Sequence, residues 1–130
     1  MIEFHGWIVI RESYSEESDG CFDINNILKD LEVVLKLLSS DIEFVIRSKN
    51  GMFQLSLFGF LNHKNESFDD LIFVINWIAN NAIGSYGLIY VHDDEDDENN
   101  QQFLIYYLKK GKIFQTKDIY FSPVNPEIEE

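Results

Sequence analysis

The sequence is short of cysteine, proline and positive charge, with one, two and ten such residues respectively, the last against 23 acidic ones. Each shortage excludes something. The lone cysteine, Cys21, has no partner for an internal disulfide, which fits a reducing compartment. No apolar run approaches the ~20 residues that a membrane-spanning helix needs. The opening residues, Met1-Ile2-Glu3-Phe4-His5-Gly6-Trp7, hold neither a basic segment nor a cleavage-site pattern, so the expectation is a cytoplasmic protein. The shortage of lysine and arginine leaves a net charge of −13 and a pI near 4.4. Such a surface repels phosphates and anionic lipid, which argues against nucleic acid and membranes as partners. It attracts a cationic protein and speeds the encounter.

Motifs of catalysis are missing too. His5, His63 and His92 fall into no HExxH or other regular metal spacing, and no CxxC, GxSxG or phosphate-cradling glycine loop is present. Carboxylates abound, but an acid–base pair needs two different environments, and a run of acids in water provides nearly one. Neither an enzyme nor a cofactor is expected. What the chain has is apolar and aromatic residues, 45% and 15% of 130, enough for one domain over residues 1–130 with its own core.

The sequence is organised around Gly84-Ser85-Tyr86-Gly87-Leu88-Ile89-Tyr90-Val91-His92, which runs into Asp93-Asp94-Glu95-Asp96-Asp97-Glu98. The first part reads as a buried strand after a glycine turn. The acids then place a dense negative charge at one rim of a sheet, where mutual repulsion works against regular structure. A mobile solubilising loop is the plain reading; a surface built to meet something basic is the sharper one. Asp93-x-Glu95-x-Asp97 faintly resembles a calcium loop, but Glu98 stands where such loops need glycine and Leu104 where they need the closing glutamate, so no metal site is expected.

Around this stretch the chain reads in order. Trp7-Ile8-Val9-Ile10 marks a first strand within residues 2–11, and a polar loop follows. Asp23 is placed to cap a helix whose apolar stripe is Ile24, Ile27, Leu28, Leu31, Val34, Leu35 and Leu38, widened by Val33 and Leu37, with a stop at Ser39-Ser40. Residues 42–49 and 52–60 form a hairpin about Asn50-Gly51, a pair that tolerates the positive φ of a type I′ turn. In the return strand Phe53, Leu55 and Leu57 share one face, and Phe58 and Phe60 make its far end apolar on both faces, hence covered. Ser67 with Asp70 resembles a capping box for a second helix, with Phe68, Leu71, Ile72, Ile75, Ile78, Ala79 and Ala82 inward and Gly84 as its stop. After the acidic loop, residues 103–109 and 112–116 form a last hairpin about Lys110-Gly111. Both prolines fall in a tail packed by Ile119, Tyr120 and Phe121.

The order β-α-β-β-α-β-β-β predicts an α+β fold: a mostly antiparallel sheet of about six strands with two helices on one face. It is a ferredoxin-like β-α-β-β-α-β core plus a C-terminal hairpin. In this reading Tyr86, Tyr90, Tyr106 and Tyr107 fall near the acidic rim. They either pack the sheet or extend a contact patch, since tyrosine is enriched where proteins grip partners. The expected partner-binding residues are Asp93, Asp94, Glu95, Asp96, Asp97 and Glu98 with Tyr86 and Tyr106.

Four stretches carry a resemblance: Phe4-His5-Gly6-Trp7, Gly59-Phe60-x-Asn62-His63-Lys64, Gly84-Ser85-Tyr86-Gly87-Leu88 with the acids after it, and Ser122-Pro123. In that order, over nearly the whole chain, they resemble the Immunity protein 7 family of bacterial polymorphic toxin systems. The resemblance implies a small α+β cytoplasmic protein that binds and neutralises a cognate toxin encoded beside it. His92, Lys110 and Val124 depart from the family's pattern, where Arg, Arg and Cys are expected; that puts partner identity in question, not fold. An acidic inhibitor suits a basic, nuclease-like toxin domain. The alternatives are an acidic protein–protein interaction adaptor for another basic partner and a divalent-cation protein using the acidic loop.

Overall fold

A computed structural model of the chain describes residues 1–13, 24–38, 41–63 and 65–124. Along them run β1 (Ile2–Ile10), α1 (Ile24–Leu37), β2 (Glu43–Lys49), β3 (Met52–Leu61), α2 (Glu66–Asn81), β4 (Tyr86–Asp93), β5 (Leu104–Lys109) and β6 (Lys112–Lys117). Two turns set the hairpins. Asn50 and Gly51 take φ of +52° and +76°, and Lys110 and Gly111 take +51° and +72°. Paired positive φ values match the right-handed twist of the strands they join. The strands form one antiparallel sheet in the order β2-β3-β1-β4-β5-β6. The first four are consistent with the ferredoxin-like arrangement, and β5 and β6 extend the sheet beside β4.

Strand alternation decides what is buried. In β1, Ile2, Phe4, Ile8 and Ile10 point to the helix side, and the register places Leu61, Leu55, Val91 and Ile89 on the same side. Leu31 of α1 and Leu71, Val74, Ile75 and Ile78 of α2 close over them in one apolar cluster. The helices therefore cover one face of the sheet, as expected.

Several local expectations are corrected. The α2 N-cap is Asn65, whose Oδ1 accepts from Ser67 N at 2.8 Å. Ser67 is buried instead, and its Oγ accepts from Asp41 N at 3.0 Å, which ties the helix to the start of the β2 segment. The helix ends at Ala82, with Ala82 N donating to Ile78 O, and Gly84 N donates to Arg11 O rather than forming a left-handed stop. Val33 and Leu37 face solvent and do not widen the α1 stripe. Ile119 and Tyr120 are 79% and 73% exposed. What holds the tail is polar: Asp118 is buried, its N donates to Phe103 O, and its Oδ2 accepts from Phe121 N at 2.6 Å. The expectations for Cys21, Asp23, Ser39, Ser40, Lys64 and residues 125–130 lie outside the described residues.

Candidate functional site

The acidic run leaves the end of β4 and is built from turns, with neither helix nor strand from Asp94 to Glu98. Two of its side chains make those turns. Asp93 Oδ1 accepts from Glu95 N at 3.0 Å, and Asp96 Oδ1 accepts from Glu98 N at 2.9 Å and Asn99 N at 3.2 Å. Short acidic side chains do this readily, because they reach a backbone N–H two residues on. Asp94 and Glu95 are exposed and each meets a cationic or ring nitrogen. The Met1 ammonium lies 2.6 Å from Asp94 Oδ1, and His63 Nδ1 lies 2.7 Å from Glu95 Oε1. The hydrogen bond from the ammonium holds the Asp94 carboxyl below its ordinary range, and the same bond raises the amine. Asp97 and Glu98 are exposed and make no ion pair among the described residues. The loop is thus fixed by two acids and presents four.

The tyrosines do not gather at that rim. Tyr86 opens β4 opposite Val9, seven residues from Asp93 and so roughly 23 Å away along the strand. Tyr106 pairs with Ile89 on the helix side of the sheet. It lines a cavity of about 40 Å³ with Ile2, Phe68, Val91, Asp93 and Asp96. Burial first, and then the nearby Asp96 carboxylate, push its phenol above the ordinary range. Tyr106 therefore supports the loop from behind. Tyr90 and Tyr107 lie on the helix-free face, Tyr90 beside the base of the loop and Tyr107 in the middle of the sheet. Of the eight expected partner-binding residues, the six acids come together, Tyr106 backs them, and Tyr86 stands apart.

That helix-free face is the surface the sequence reading missed. The register lays Ser56, Trp7, Leu88, Tyr107 and Phe114 side by side across β3, β1, β4, β5 and β6. The next row runs Phe58, His5, Tyr90 and Ile105. The rings touch one another: Trp7 meets Tyr86 edge-on at 6.2 Å, Tyr107 stacks on Phe114 at 5.0 Å, and His5 meets Phe60 at 5.4 Å. Phe103, backed by Phe121, packs against Tyr90 at 6.0 Å and His92 at 5.2 Å and covers that corner, but the rest of the face is open. Phe58 and Phe60 are 48% and 56% exposed and Trp7 is 38% exposed, which overturns the expectation that the far end of β3 is hidden. The sequence signal was there, in strands apolar on both faces with only two helices to cover them.

The face adjoins the loop. Glu3, beside Phe60 and opposite His92, holds His5 Nε2 at 2.8 Å and His92 Nδ1 at 3.6 Å. His92 Nε2 in turn lies 2.8 Å from Asn100 O just past the acids. Among the described residues, no group of three His, Cys, Asp or Glu side chains is arranged to hold a metal ion, and no helix is long and apolar enough to cross a membrane.

The family model described as Immunity protein 7 matches residues 1–130, the whole chain. The chain belongs to the Immunity protein 7 family. Membership makes it an immunity protein against a toxin and its partner a toxin protein. Within this Immunity protein 7 fold the three departures have clear places. His92 bridges Glu3 and the loop, Lys110 sits in the β5–β6 turn, and Val124 N donates to Gln101 O at 2.7 Å. No curated protein matches the chain. A phage SAM lyase in complex with S-methyl-5'-thioadenosine aligns over 92% of this chain and 93% of that one, at 10% identity and a TM-score of 0.41. That likeness bears on neither fold nor function.

Proposed function

We propose that this immunity protein neutralises its toxin by docking the acidic loop, Asp93 to Glu98, on a basic surface of the toxin domain, nuclease-like in its charge, inside the cytoplasm. The observation that carries the reading is the construction of the loop. Carboxylates in a run repel one another, so a run that serves only solubility has no reason to hold its shape. Here Asp93 and Asp96 use their oxygens to fix two turns, and Asp94, Glu95, Asp97 and Glu98 face outward as a set. A preorganised charged surface loses less entropy on binding than a mobile one. The net charge of −13 adds long-range attraction for a cationic partner. The role is inhibition by occupancy, with no catalytic step and no cofactor.

The test reverses Asp97 and Glu98 to lysine, the two acids whose side chains make neither turns nor ion pairs. The variant keeps the fold and associates with the inactivated toxin domain encoded beside it roughly tenfold more slowly at low salt. Dissociation changes little, and protection on co-expression weakens. Association at the wild-type rate, with full protection, removes the acidic loop from the interface.

A further inference from the structure

We infer that the helix-free face of the sheet is the desolvated centre of the toxin interface, with Trp7 as its anchor and the acidic loop as its charged rim. The inference rests on the family's toxin-binding role and, for the rim alone, on the loop docking proposed above; the apolar centre stands without it. A sheet with one polar face alternates apolar and polar residues along each strand. Here the outward row across the middle of the sheet carries Trp7, Leu88, Tyr107 and Phe114, and Phe58 and Phe60 continue it towards the loop. No described element covers them. These rings lie across five strands, β3-β1-β4-β5-β6, ~4.8 Å apart, and between the rows of Tyr86 and Phe60, six residues apart along β1, which gives a footprint of roughly 19 by 20 Å. That is about half of the ~800 Å² each partner contributes to a standard interface, as suits an apolar centre inside a charged rim, and it falls within the ~300–600 Å² of the largest, often functional, patches on a monomer.

Charge selects the occupant. A second copy of the chain would bring −13 against −13, which opposes face-to-face pairing. A toxin domain with an apolar contact surface flanked by basic side chains meets no such repulsion. It also matches the two ends of the face. Glu3, Glu43 and the acidic loop lie at one end, and Arg47, Lys49, Lys109 and Lys112 lie at the other. The partner's basic flank is thereby set over the Phe58–Phe60 end. Trp7 is on the central side of the patch, between Ser56 and Leu88. A partly exposed Trp packed beside Leu88 and edge-on to Tyr86 has the setting in which binding energy concentrates.

The experiment compares Trp7→Ala and the double variant F58S/F60S with the wild type, and with Phe73→Ser, an exposed phenylalanine on α2. Binding to the inactivated toxin domain is followed by surface-immobilised kinetics, with circular dichroism checking each fold. Phe58 and Phe60 are about half exposed, so their removal leaves the core intact even if Trp7→Ala does not fold. The expected result is a loss of affinity of about 30-fold or more for the folded face variants. It should lie in faster dissociation with an unchanged salt dependence, while F73S binds like the wild type. Wild-type dissociation from F58S/F60S overturns the inference, and so does a stable dimer of the free chain in light scattering that those substitutions dissolve. The two readings fail separately. D97K/E98K changes association and its salt dependence, whereas the face variants change dissociation.

Discussion

At the scale of single residues, the side chains that matter most are those with two duties. Asp96 turns the acidic loop through its Oδ1 and also lies close enough to Tyr106 to oppose ionisation of the phenol. Burial is the larger cause and the carboxylate the second, and both act in the same direction. A phenol raised above its ordinary value of 10.0 is favoured neutral in the folded state. Its contribution to stability is therefore complete below that pH and is lost as pH rises through the higher folded value. Urea unfolding measured on the alkaline side should show stability falling as pH rises above 10. Tyr106→Phe should flatten that fall and remove one of the last tyrosinate steps in ultraviolet difference absorbance. An identical alkaline profile in the variant would mean that Tyr106 is solvated in solution and does not back the loop.

At the scale of elements, β4 is held to β1 so closely that its second residue has no room for a side chain. A Cβ on Gly87 would overlap the Trp7 carbonyl oxygen and lie 2.7 Å from Ile8 Cα. The two nearest of these atoms are β1 backbone, which cannot swing aside as a flexible side chain could, so Gly87→Ala should cost about 1–3 kcal/mol, read as a lower urea midpoint at unchanged slope. A midpoint within error of the wild type would refute the close approach. Elements of this kind were legible in the sequence to different degrees. Asn50-Gly51 was legible because turn chemistry is local, and both residues do adopt positive φ. The core side of each strand was legible because alternation is local as well. The cap of α2 was not. Ser67 has the spacing of a cap, but its hydroxyl is taken by Asp41 N from 26 residues away, and Asn65 does the capping. The tail was misread for the same reason, since its anchor is a buried Asp118 and not its exposed apolar residues. The helix-free face was missed because Phe58 and Phe60 were read within their own strand. An apolar residue on each side of a strand usually means cover on each side, and only counting the helices against the width of the sheet shows that one side goes without.

At the scale of the whole molecule, charge is divided by the sheet's direction. The two hairpin turns and the end of β1 collect Arg11, Arg47, Lys49, Lys109, Lys110 and Lys112 at one end, six of the ten basic residues. The acidic loop occupies the other, with the Met1 ammonium as a nearby partially compensating charge. Within the loop, like charges outnumber their partners, so the native state carries a local repulsion that the unfolded chain can relax. Salt acts on this repulsion and on attraction to a toxin through the same carboxylates but in opposite senses. Shortening the screening length from about 30 Å at 0.01 M to about 3 Å at 1 M should raise the melting temperature of the free protein. Over the same range, association with the toxin domain should slow. D97K/E98K removes part of the common cause, so both salt slopes should become shallower together. A melting temperature that falls with salt would show instead that attractive pairs, among them Met1 with Asp94, outweigh the repulsion; the loop would then stabilise the fold, and its charge would need no partner to explain it.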